Sequence, residues 1–204
     1  MLAWAPGLDT ALRQSGRSGL LAIDSACPPL LGVESTASPG CQRHNEEMLA
    51  LLEESEDIRV VVLAAYWSTY TKPEALLVNS AESPRELFAR ALRETVRRLR
   101  DIGKTVVVFG PVPTYESSVP FDLAMEHFRG VRATRQDFST YKIHTQYFQD
   151  ALAADPVLLV ANPGAWLCKP ECTQELNGRP LYRDSHHLSV LGATSLAADL
   201  SKTL

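Results

Sequence analysis

No stretch of the 204 residues approaches the ~20 consecutive apolar positions that span a bilayer. The N-terminus has neither the basic start nor the apolar stretch of an export leader, so the chain reads as soluble and without a targeting segment of its own. Charge excess is also lacking: the formal balance is −4, which argues against nucleic acid as a main partner. Arg93, Arg97, Arg98 and Arg100 do cluster on one expected helix, where they read as a solvated face. Internal repeats and low-complexity tracts are missing too, which excludes solenoid and disordered architectures. Cysteine is scarce, four in all, yet it falls into two local pairs, Cys27 with Cys41 and Cys168 with Cys172. Two short-loop disulfides would fit that grouping and would point to an oxidising compartment. Burial of the thiols as small apolar side chains is the alternative.

What is present is an alternation of strand and helix. Leu2, Trp4, Ala5, Leu8 and Leu12 recur at helical spacing, and Leu20-Leu21-Ala22-Ile23 follows as a short strand. A helix is expected from about Gln42 to Glu54. Ile58 to Ala65 is nearly continuous and β-branched, as suits a strand covered on both faces. Tyr66-Trp67-Ser68-Thr69-Tyr70 lies at its C-terminal end, the place where ligands bind an open parallel sheet, so these aromatics either line a pocket or pack as core. Ser83-Pro84-Arg85-Glu86 announces a helix that Gly103 ends. Thr105 to Phe109 is the third strand, followed by Gly110-Pro111-Val112-Pro113. Thr114 to about Asp137, with His127 in it, has little periodicity and reads as a cleft cover or a surface loop. A helix through Tyr147 and Leu152 up to Ala154 and a strand Val157 to Val160 complete the pattern. The expected fold is α/β: one domain, residues 1–204, with a mostly parallel sheet in three α-β-α layers.

The chemistry concentrates in Leu181-Tyr182-Arg183-Asp184-Ser185-His186-His187-Leu188-Ser189. A histidine that takes a proton from a hydroxyl and returns it works best when a carboxylate fixes its tautomer. Asp184 and His187 could supply that pair from one loop. Ser189 would cap a helix through Val190, Leu196 and Leu200 and so anchor the loop. A plain turn with two surface histidines is the rival reading. A zinc site of Cys168, Cys172, His186 and His187 is another, although the usual ligand spacing is not met.

Asp184-x-x-His187-Leu188-Ser189 followed by Gly192-Ala193 resembles the last motif of the SGNH (GDSL-like) hydrolases. The chain as a whole is similar to the SGNH domain fused to membrane-bound type 3 acyltransferases, which O-acetylate cell-surface polysaccharides such as lipopolysaccharide. The likeness rests on Cys27-Pro28-Pro29-Leu30, Cys41 with Asn45, Val60 to Ala64 leading to Trp67, Val107 to Pro113, and Cys168 to Cys172 leading to Asp184. It implies that His187 is the general base and Asp184 its orienting acid; Trp67, from its place at the end of a strand, is the candidate substrate-binding residue, and no metal or cofactor is expected. It implies as partners a glycan acceptor, an acyl donor and a membrane-bound acyltransferase domain, and a periplasmic location. Members carry the nucleophile in a Gly-Asp-Ser-His segment at the end of the first strand. Here Met1-Leu2-Ala3-Trp4 resembles the start of the helix after it, so that strand and the serine are expected to be missing from this chain. Ser25, after Ile23-Asp24, lacks the close-turn glycine expected of such a nucleophile. A catalytically inactive glycan-binding module using Trp67, Tyr70 and the Thr114 to Asp137 region is the alternative.

Overall fold

The computed structural model describes residues 2–77, 82–153, 155 and 158–204. In chain order the elements are α1 (Ala5–Gln14), β1 (Glu34–Ser35), α2 (Cys41–Glu54), β2 (Val60–Leu63), β3 (Leu76–Leu77), α3 (Pro84–Asp101), β4 (Thr105–Phe109) and α4 (Val119–Arg129). They continue as α5 (Phe138–His144), α6 (Gln146–Leu152), β5 (Leu159–Ala161), α7 (Pro163–Leu167), β6 (Glu175–Leu176), β7 (Arg179–Pro180), α8 (Val190–Ser195) and α9 (Ala197–Thr203). They form two compact units. One, the sheet unit, is Leu21–Pro111 with Thr145–Ala161, and the other, the helical unit, is Met1–Leu20 with Val112–His144 and Asn162–Leu204.

In the sheet unit β2, β4 and β5 run parallel in the order β2-β4-β5, with Val61 opposite Val106 and Val108 opposite Val160. The middle strand, β4, buries Val106 through Phe109, as a strand that is apolar throughout and has parallel neighbours on both sides is expected to do. α3 supplies the cover. Its start is fixed by a capping box: the Ser83 hydroxyl accepts from the Glu86 N–H while the Glu86 carboxylate accepts from the Ser83 N–H. These bonds satisfy two donors that a helix end leaves open. Leu87, Phe88, Ala91, Leu92, Thr95, Val96 and Leu99 then face the core. Each of the larger ones contributes a gross ~1.5–3 kcal/mol of burial. The helix stops where Gly103 adopts a left-handed φ of 79°, a conformation costly for any residue with a Cβ. α2 turns Cys41, Asn45 and Leu49 inward. The Asn45 amide donates to the carbonyls of Pro28 and Leu30 at 2.8 and 3.0 Å, and Cys27 is bonded to Cys41, so the Cys-Pro-Pro-Leu loop is pinned twice.

Several expectations are corrected. Leu20 to Ile23 is not a strand: no described strand pairs with it, and Leu20 and Leu21 are 67% and 48% exposed. An apolar run becomes a strand only when a neighbour takes its N–H and C=O groups. The segment from Thr114 to Asp137 is not irregular throughout, since it contains α4, with Pro120 in the first turn and Gly130 left-handed at the end. Those two residues are the start and stop signals that the weak periodicity concealed. The single C-terminal helix is broken at Leu196 into α8 and α9. Ala154 and Val157, where the helix through Tyr147 and Leu152 was expected to end and the last strand to begin, lie outside the described residues.

In the helical unit α1 packs on α8 and α9. Backbones approach closely there: a Cβ on Gly7 would lie 2.2 Å from the Ala193 carbonyl oxygen. β6 and β7 form a hairpin around Asn177-Gly178, both at positive φ, the turn whose twist matches its strands. Cys168 and Cys172 are disulfide-bonded just before it.

Candidate functional site

The segment after β7 folds back on itself. Tyr182 bridges to Leu188, and the Arg183 N–H donates to the His187 carbonyl at 2.9 Å. Leu181 is held at both polar groups, donating to the Gln174 carbonyl and accepting from the Ser189 N–H, each at 2.8 Å. The Ser189 hydroxyl accepts from the Gly192 N–H at 3.0 Å and so caps α8, while it donates to the Pro180 carbonyl at 3.0 Å. One serine thus ties the loop's exit to its entrance, accepting from a helix-end donor that water would otherwise satisfy.

Inside this loop Asp184 organises the histidines. Its Oδ1 accepts the backbone N–H of His186 at 2.9 Å and of His187 at 2.7 Å, and its Oδ2 lies 2.7 Å from His187 Nδ1. Partial burial pushes the carboxyl's pKa up. The two backbone donors, the imidazole hydrogen bond and the charge of His187 outweigh that and bring it down to about 2, so Asp184 is an anion throughout the neutral range. With a carboxylate on Nδ1, the proton of neutral His187 sits there and Nε2 is the basic atom. Nε2 has no hydrogen-bond partner among the described residues. His186 packs beside it, ring centroids 4.1 Å apart, with Nδ1 2.9 Å from the Ser185 hydroxyl. Burial, then the charge of His187, lowers the His186 pKa.

The 112–119 segment braces the loop from the other side. The Tyr115 N–H donates to the Ser185 carbonyl at 2.9 Å, and the Val119 N–H, in the first turn of α4, donates to the Asp184 carbonyl at 3.3 Å. Tyr115 stacks edge-on against Tyr182 at 5.3 Å, and burial pushes its hydroxyl up to about 12, so it stays a neutral phenol. These contacts escaped the sequence reading, because a backbone donor leaves no side-chain signature.

The other singled-out residues are placed differently. Trp67, expected to touch substrate, is fully buried. Its indole N–H donates to the Phe109 carbonyl at 2.6 Å, and it packs against Phe88 and Phe148. The side chain offers no surface to a ligand and acts as core, which corrects that expectation. Tyr70 is buried at 8% exposure and Tyr66 is exposed. Cys168 and Cys172 are bonded to each other, so neither thiolate is available to the zinc quartet considered for them. Asp184, His186 and His187 do offer donor atoms within 4.8 Å of one another. The Asp184 oxygens and both histidine Nδ1 atoms are already engaged, so a cation would have to displace those bonds or use Nε2. Ser25 is an exposed turn residue of the sheet unit. Of the arginine cluster, Arg97 pairs with Glu94 and Asp101, Arg98 with Glu53 and Arg100 with Asp155, while Arg93 donates to the Ala151 carbonyl.

No curated protein matches the chain. Among solved structures, the fold is similar to the lipopolysaccharide acetyltransferase periplasmic domain of Salmonella ser. Paratyphi A, with a TM-score of 0.72 and 15% sequence identity over 98% of this chain and 77% of that one. Likeness at that identity speaks for the fold alone. The family description that matches is "SGNH domain (fused to AT3 domains)", and the match runs over residues 1–202. The chain belongs to this SGNH domain family.

Proposed function

We propose that this domain transfers acyl groups to or from hydroxyls of cell-surface glycans, with His187 as general base and acid and Asp184 as the residue that orients it. The observation that carries the reading is the 2.7 Å contact between Asp184 Oδ2 and His187 Nδ1, which leaves Nε2 basic. In the first half-reaction a serine hydroxyl gives its proton to Nε2 as its oxygen bonds to the acyl carbon, and the same proton passes to the departing alkoxide. In the second, a sugar hydroxyl gives its proton to Nε2, attacks the acyl-serine, and the serine oxygen leaves with that proton. Asp184 stays ionised throughout and steadies the imidazolium. The family places that serine in a Gly-Asp-Ser-His segment, which does not occur in the 204 residues. In this proposal the rest of the protein that carries the domain contributes it. The description of the family as fused to AT3 domains supports an acyltransferase partner domain. Two disulfides and a structural neighbour described as periplasmic support an oxidising, periplasmic setting. The glycan-holding alternative loses Trp67 and Tyr70 to the core.

The test uses the domain expressed with its native upstream sequence, p-nitrophenyl acetate as donor and an oligosaccharide acceptor. Release of p-nitrophenol and formation of acetyl-sugar should fall by roughly 10³-fold or more in His187→Ala and by about 10⁴-fold in Asp184→Asn. Turnover indifferent to His187→Ala would remove the dyad from the chemistry.

A further inference from the structure

α4 is fastened at one end and bare along one side. Its first turn is bonded to the dyad loop through Val119 N–H and the Asp184 carbonyl, and Val119 is its one buried side chain. Phe121, Ala124 and Phe128, spaced i, i+3 and i+7, share the face turned to solvent; the two phenylalanines are 61% and 80% exposed. Val131, just past the helix, is 54% exposed. A helix of a soluble domain normally turns such a stripe inward. Two rings, a methyl and a valine leave about 300–400 Å² of apolar surface in water.

The charges around the stripe are unevenly matched. Asp122 accepts from the Ser117 hydroxyl, and Glu126 is paired with Arg135 at 2.7 Å. Arg129 and Arg132 are exposed and meet no acid among the described residues, whereas Glu116 is exposed before the other end of the helix. The aromatic stripe therefore runs into unpaired guanidiniums at its C-terminal end.

We infer that this face of α4 rests on an anionic lipid surface, with Phe121 and Phe128 among the headgroups and Arg129 and Arg132 on lipid phosphates. Exposed aromatics on one side of a helix bordered by arginine are what interfacial binding requires. A second copy of the chain is a poorer occupant, because a stable dimer buries ~800 Å² per partner, about twice what the stripe offers. Because the first turn is bonded to the dyad loop, a docked α4 would keep Asp184 and His187 close to the lipid surface. That consequence rests on the proposed reaction; the binding does not.

Flotation of the 204-residue protein with phosphatidylcholine vesicles, with and without about one-third phosphatidylglycerol, tests the inference. The bound fraction should be several-fold larger on the anionic vesicles and should fall in high salt. The double variants Phe121→Ser with Phe128→Ser and Arg129→Gln with Arg132→Gln should each cut it at least about five-fold, with far-UV circular dichroism unchanged because all four side chains are exposed. Absence of binding, equal binding to both vesicle types, or wild-type binding by the phenylalanine variant would overturn it. A concentration-dependent dimer in sedimentation that the phenylalanine variant abolishes, without vesicle binding, would assign the face to a second copy and overturn it as well.

Discussion

Asp184 accepts three hydrogen bonds through two oxygens, two from backbone N–H groups and one from His187. It therefore does two jobs, shaping the loop and setting the tautomer of the histidine. Asparagine at this position could still take the backbone donors on Oδ1 but would present an N–H to Nδ1 and favour the opposite tautomer. In one-dimensional proton NMR the wild type should show a downfield Nδ1–H resonance from His187, and Asp184→Asn should lose it. The same variant changes acid stability. The folded carboxyl titrates at about 2, below the ~3.9 of an unfolded aspartate. Folding therefore draws stability from this ion above pH ~4 and loses it as pH falls towards 2. Urea midpoints measured from pH 5 downward should drop more steeply in the wild type than in Asp184→Asn, and parallel curves would count against the anion's role. The contact between Asp184 and His187 was legible in the sequence because the two residues are three apart on one loop. Which of its two readings Trp67 takes, pocket or core, was not legible for a related reason: position after a strand marks where a side chain starts, whereas its burial depends on Phe88 and Phe148, which lie far away in the chain.

Among the elements, legibility followed local signals. α3 was readable from end to end because the capping box, Pro84, the apolar stripe and Gly103 all act within the helix itself. β4 was readable from five consecutive residues of the right type. α4 and the unpaired segment 20–23 were not, since one lacks a buried stripe and the other lacks a ladder partner, and both are properties of neighbours. The close contact between α8 and the dyad loop was equally hidden, yet it makes a sharp prediction. A Cβ on Gly192 would lie 2.0 Å from the carbonyl oxygen of Leu181, a backbone atom that cannot rotate away. Gly192→Ala must push α8 off the strand that leads into Tyr182 and Asp184, at a cost of roughly 1–3 kcal/mol. A denaturant melt should show that loss, together with a shifted or broadened His187 resonance. An alanine variant as stable as the wild type would mean that the loop yields more easily than its hydrogen bonds suggest.

At the scale of the whole molecule, each compact unit carries one disulfide, and the two differ in what they constrain. Cys27–Cys41 closes a separation of 14 residues in the sheet unit, and Cys168–Cys172 closes one of 4 in the helical unit. Loop-closure entropy assigns about 3 kcal/mol to the longer link and about 2 kcal/mol to the shorter. Their positions invert that order for the candidate site. Asn45 and its two carbonyl partners secure the Cys27 loop independently of the sulfurs. The segment after Cys172, in contrast, runs through Gln174, whose carbonyl accepts from Leu181 at the root of the dyad loop. Paired alanine replacements separate the two effects. Replacing Cys27 and Cys41 should lower the urea midpoint more while leaving the His187 resonance in place. Replacing Cys168 and Cys172 should cost less stability but broaden or shift that resonance, because the hairpin that carries the loop loses its anchor. Equal disturbance of the resonance by both pairs would mean that global loosening, rather than the local anchor at Cys172, controls the geometry of Asp184 and His187.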